Sequence, residues 1–216
     1  MPKKTLVVSC ALAVLSLAAP ALAGPPFLCH PFEISAAKSL PWVDGDFLGT
    51  RADYDITRVV ADTEALLTSD TPTVVRMETL RRAVLYASRD RAVAERLVSA
   101  LTARIDAASR GGRTDALALF DAGYALEAMS EVETLGHYMG SDLAARGRAL
   151  AGMTRPDDGR ALLLKSASLR TTDAGIAFAL ALISNRDDRQ PFLLKARAAA
   201  KLDRLLAANM ARLDML

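Results

Sequence analysis

From about Tyr54 to its end the chain is dominated by Ala, Leu and Arg, and its β-branched runs are too short and irregular to alternate as strands. That feature restricts the body of the protein to helices. The spacing predicts helices over about Tyr54 to Thr68, from Thr71-Pro72 onward, and from Asp90 to near Ser109, where Val93, Leu97, Leu101 and Ile105 recur every four residues. A further helix over about Thr114 to Glu133 carries Leu117, Phe120 and Tyr124 on one side and Leu119, Leu126 and Met129 on another, so it should be sandwiched between neighbours. Gly136 and Gly140 interrupt the pattern, and Ser141 or Asp142 starts a short helix ending near Gly152. A loop at Arg155 to Gly159 precedes helices over Leu162 to Leu169 and Ala174 to Ile183, the latter an apolar core helix too short to span a bilayer. A last helix runs from about Asp188 to near the end, with Leu194, Leu202, Leu205, Leu206 and Leu213 as its stripe. The expected fold is all-α, with antiparallel helix pairs in an α-solenoid-like or closed helical array over residues 54–216.

The N-terminus has a different composition. Lys3 and Lys4 precede an uncharged run from Leu6 to Leu17, and Ala21-Leu22-Ala23 stands before Gly24. This is the layout of a secretory signal peptide over residues 1–23, cleaved after Ala23. It implies a periplasmic or extracellular protein with no integral membrane segment after cleavage. Neither Cys10 nor Cys29 is placed for lipoprotein processing. Loss of Cys10 with the signal leaves Cys29 as a lone thiol in an oxidising compartment, to be buried, ligated or paired with another chain. Removing Lys3 and Lys4 from the 27 basic residues balances them against the 25 acidic ones, which argues against nucleic acid as a partner.

Residues 24–53 contain Pro25, Pro26, Pro31 and Pro41 with Gly45 and Gly49, and the helical period is absent. An irregular segment of about thirty residues is longer than connections usually run without a purpose. We read it as a strap laid across the helical body, with Phe27, Phe32 and Trp42 as its anchors. Asp44-Gly45-Asp46 supplies a turn between Trp42 and Phe47; the ligand spacing of a calcium loop is absent.

The chemical inventory is sparse. There is no G-x-S-x-G elbow, H-E-x-x-H pair, P-loop or dinucleotide-binding glycine pattern, and no catalytic residue is assigned. Cys29-His30 is the most pointed dipeptide, because thiolate and imidazole both ligate soft or borderline metals. A zinc site would need further ligands, with His137 the obvious addition. A structural role for the dipeptide, Cys29 packing as a small hydrophobe, stands ahead of ligation. Ser141-Asp142 beside His137 reads as a helix start rather than part of a triad. Phe32, Trp42, Arg81 and Arg82 are the candidates for contacting a partner, although Glu78 and Asp90 make the arginines of Arg76 to Arg89 read as a solvated helix face.

Four segments carry a resemblance: Cys29-His30-Pro31-Phe32, Ser39-Leu40-Pro41-Trp42, Val75 to Ala83, and Phe120-Asp121-Ala122-Gly123-Tyr124. Together they resemble an uncharacterised family of exported bacterial helical proteins with HEAT-like or TPR-like character. The resemblance covers most of the mature chain and implies no activity and no catalytic residues. The expected role is therefore an exported interaction or scaffold module that binds a protein or a cell-envelope component without a cofactor. The alternative is a metal-binding or redox protein using Cys29 and His30.

Overall fold

The computed structural model describes residues 27–213, so the signal peptide expected over residues 1–23 lies outside the described residues. Among the described residues there are nine α-helices and no strand: α1 Val59–Leu66, α2 Thr73–Ala87, α3 Arg91–Arg110, α4 Ala116–Gly136, α5 Ser141–Leu150, α6 Asp158–Leu169, α7 Ala174–Ile183, α8 Arg186–Ala200 and α9 Arg204–Leu213. Short 3-10 turns at Phe27–Cys29 and Ile56–Arg58 complete the set. No helix among them is long and apolar enough to cross a membrane.

Short acidic and amide side chains set the helix starts. Asp90, Asp115 and Asp173 each accept two backbone N–H groups of the first turns of α3, α4 and α7, which leave those donors without an intrahelical partner. Asn185 does the same once for α8. Thr71 does not cap α2: its hydroxyl donates to the Leu66 carbonyl, and Pro72 precedes the first helical residue, Thr73.

α2 is the centre of the molecule, with 14 of its 15 residues buried. α4 packs beside it, sandwiched as its two apolar sides require, and α5 and α6 cover the remainder of α4. α7 returns to touch both α2 and α4, and α8 and α9 follow it as an outer pair. In an open solenoid each unit meets only its neighbours, so the return of α7 to α2 describes a closed array.

α4 ends at Gly136, where the pattern was expected to break, and this glycine also lets α5 approach: a Cβ there would lie 2.9 Å from the Leu143 carbonyl and 3.2 Å from the Gly147 Cα. One expected feature differs. The single helix expected from Asp188 onward is two, parted at Lys201 to Asp203, where Asp203 accepts the Leu206 N–H at 3.0 Å and starts α9. Leu194 and Leu202, expected in the buried stripe, are 63% and 95% exposed, and Leu193 and Ala196 face the core instead.

Candidate functional site beneath the strap

Glu78, Arg81 and Arg82 stand at i, i+3 and i+4 on α2 and so share one face. The expectation of a solvated arginine face does not hold, because Arg76, Glu78 and Arg81 are fully buried. The reason lies in the strap. Residues 27 to 51 cross this face of α2 with few backbone hydrogen bonds of their own, among them those of the Phe27–Cys29 turn and the Val43 N–H to the Gly49 carbonyl at 2.8 Å, so their other buried backbone groups require partners elsewhere. Arg81 donates to the carbonyls of Leu28 (3.0 Å) and Phe47 (3.1 Å), while its remaining N–H groups engage both oxygens of Glu78 at 2.8 and 2.9 Å. Arg82 donates to the Leu40 carbonyl (2.7 Å) and to Glu78 (2.6 Å). Glu78 in turn accepts the Phe32 N–H at 3.0 Å. Burial pushes the Glu78 carboxyl up, but the two guanidiniums outweigh it and hold the group below its ordinary value.

The aromatic anchors follow the same line. Phe27 packs on Tyr124 at 5.2 Å between centroids, and Phe32 meets Phe178 edge-on at 6.0 Å. Trp42 meets Tyr86 edge-on, with the Arg81 guanidinium 4.7 Å and that of Arg82 5.5 Å from its ring centroid. Tyr86 donates its hydroxyl to the Pro41 carbonyl (2.7 Å) and accepts the Arg51 N–H (2.9 Å). Asp46 closes the expected turn by accepting the Leu48 N–H at 2.9 Å, with Gly45 at φ +83°. At the far end of the fold, Asn209 of α9 clasps Glu33 by accepting its N–H (2.8 Å) and donating to its carbonyl (2.9 Å).

α4 contributes the second carboxylate of the seam. Glu131 accepts the backbone N–H groups of Phe27 (3.0 Å) and Leu28 (2.9 Å), capping the first turn of the strap. Burial pushes its carboxyl up to about 8, opposed by those two N–H groups and reinforced by Glu127. The Tyr124 hydroxyl, two turns earlier on α4, is buried with no hydrogen-bond partner among the described residues, and burial followed by the Glu131 charge raises it well above its ordinary value. A separate buried cluster ties three helices together: Asp121 of α4 accepts from Arg76 of α2 at 2.7 and 2.9 Å and from Arg104 of α3 at 2.7 Å.

The residues singled out for metal chemistry are dispersed in role. Cys29 is a free, half-buried thiol, pushed up by burial and then by Glu131, with Arg81 opposing, which is the direction away from a reactive thiolate. His30 is half-buried beside it, while His137 lies exposed just past α4 with its Nδ1 2.8 Å from the Glu133 carbonyl. No three His, Cys, Asp or Glu side chains among the described residues are grouped to hold a metal ion. Of the partner-contacting candidates, Phe32 and Arg81 are turned inward and Trp42 and Arg82 are partly exposed along the strap. Glu131, Asn209 and Arg146 were not singled out by sequence reasoning, and Tyr124 and Asp121 were read only as an apolar-face residue and as part of a resembling segment. The one signal for Glu131 is a carboxylate seven residues after Tyr124 on a helix that is otherwise apolar on two sides. Arg146 of α5 donates to the Leu85 carbonyl and to Thr50 at 3.3 Å, carrying the same strap-binding chemistry to a third helix.

A shallow cleft of about 270 Å³ lies at the start of α4, lined by Arg113, Thr114, Asp115, Leu117 and Arg170 among others. Of its charges, Asp115 is engaged in capping α4 and Arg170 with Asp173 at 3.2 Å. No family model, curated protein or solved structure matches the chain.

Proposed function

We propose that this is an exported helical interaction or scaffold protein, periplasmic or extracellular, that binds a protein or a cell-envelope component. The observation that carries this reading is the internal use of the arginine and carboxylate seam. The polar groups that a catalytic cleft would aim at a substrate are here aimed at strap carbonyls and N–H groups, which makes a fixed outer surface. On that surface, Tyr138 and Met139 project from the turn between α4 and α5, with Tyr138 81% exposed. An exposed aromatic beside a methionine is the residue chemistry favoured at the centre of protein interfaces. The signal-peptide layout of residues 1–23 supports the location.

The test is site-specific photocrosslinking in the producing cell. A crosslinker at position 138 is expected to give one discrete adduct that a crosslinker at exposed Ser109 does not, and its loss on Met139→Ala would place the contact. Adducts identical at both positions would count against the reading. The alternative, a metal-binding or redox protein, draws its support from the adjacency of Cys29 and His30 in the sequence. Near-stoichiometric metal in natively purified protein, lost on Cys29→Ser or His30→Ala, would favour it.

A further inference from the structure

The outer side of α8 carries an ordered stripe. Asp187, Leu194 and Lys201 are spaced by seven residues, so they lie along one side of the helix within the ~20° that an α-helix drifts per heptad. All three are exposed, and Lys201 still has helical backbone angles at the C-terminal cap. Leu193 and Ala196, about 100° and 160° around the helix from Leu194, are buried in the core. The stripe is thus acidic at one end, apolar at its midpoint and basic at the other.

This order is complementary to itself when reversed. Laid antiparallel on a second copy about a two-fold axis at Leu194, the helix brings Leu194 onto its symmetry mate and each Asp187 onto the Lys201 of the other chain. Gln190 then faces Ala198, a small residue that lets the backbones approach. A parallel pairing sets like charge on like charge. We propose that α8 is the two-fold interface of a homodimer, formed by antiparallel pairing of this face with that of a second copy. Isologous interfaces of this kind are the commonest route to closed assemblies. One helix of 15 residues spans only about 22 Å, so the interface is at the small end of its class and the dimer should be concentration-dependent.

Sedimentation equilibrium of the full mature chain tests this. The expected result is a monomer–dimer equilibrium that Leu194→Asp abolishes. Asp187→Lys and Lys201→Asp should each weaken it by about tenfold or more, since each turns two attractions into repulsions. Two rescues are expected. The double variant D187K/K201D restores the wild-type constant, and an equimolar mixture of the two single variants associates more tightly than either alone. The altered side chains are on the surface, and unchanged helical circular dichroism verifies that each variant folds. Protein that stays monomeric across the accessible range, or a dimer indifferent to Leu194→Asp, overturns the proposal. So does binding of phosphatidylglycerol vesicles by a chain that does not self-associate.

Discussion

At the scale of single residues, burial of the Glu78 charge is opposed by two guanidiniums that keep it ionised. Removing one partner of a buried, hydrogen-bonded ion pair leaves the other uncompensated and costs about 3–5 kcal/mol. Glu78→Ala strands two guanidiniums and an N–H of the strap, so its unfolding free energy from urea titration should fall by an amount in that range, while Glu64→Ala on the exposed side of α1 should leave it nearly unchanged. Glu131 behaves in the opposite sense with pH. Its folded form holds a proton more tightly than the unfolded chain, so its contribution to stability is full below the unfolded value of 4.5 and is lost as pH rises through about 8. Wild-type stability measured against that of Glu131→Gln should therefore decline from pH 5 to pH 8; a constant difference would show that the carboxyl is not buried as described. These roles were poorly legible in the sequence. Glu78, Arg81 and Arg82 have the spacing of a solvated face, and what buries them is a strap whose contacting carbonyls lie tens of residues away.

Among the helices, starts were more legible than ends and crossings. Asp90 announces α3 because a short carboxylate beside an apolar period has one obvious use. Asp203 had the same signal, but the leucines on either side of it continue a helical period and hid the break between α8 and α9. A glycine that stops a helix and one that admits a neighbouring helix look alike in sequence, so the helix crossings were not legible. Gly123 and Gly159 are of the second kind. A Cβ on Gly123 would stand 2.7 Å from the Gly159 carbonyl, and one on Gly159 would stand 2.6 Å from the Gly123 carbonyl, where α4 crosses α6. Because backbone cannot give way as a flexible side chain does, Gly123→Ala should destabilise by about 1–3 kcal/mol despite alanine's better helix propensity. A thermal melt equal to or above wild type would show that the two helices are not in this close contact.

For the whole molecule, the strap is the feature that turns a set of helices into one body. Its partners come from α2 at Glu78, Arg81, Arg82 and Tyr86, from α4 at Glu131, from α5 at Arg146 and from α9 at Asn209. The sequence shows that such a segment exists and that Trp42 and Phe32 anchor it, but not that buried ion pairs are its fastening, since that depends on which helices close around it. The central claim is that the strap is bolted to the core rather than resting on it. Native-state hydrogen exchange of the backbone amides of Phe27, Leu28 and Phe32, which donate to Glu131 and Glu78, tests it most directly. These amides should exchange only with the global unfolding that also exposes the interior of α2. Exchange through local opening, orders of magnitude faster than at the centre of α2, would contradict the account.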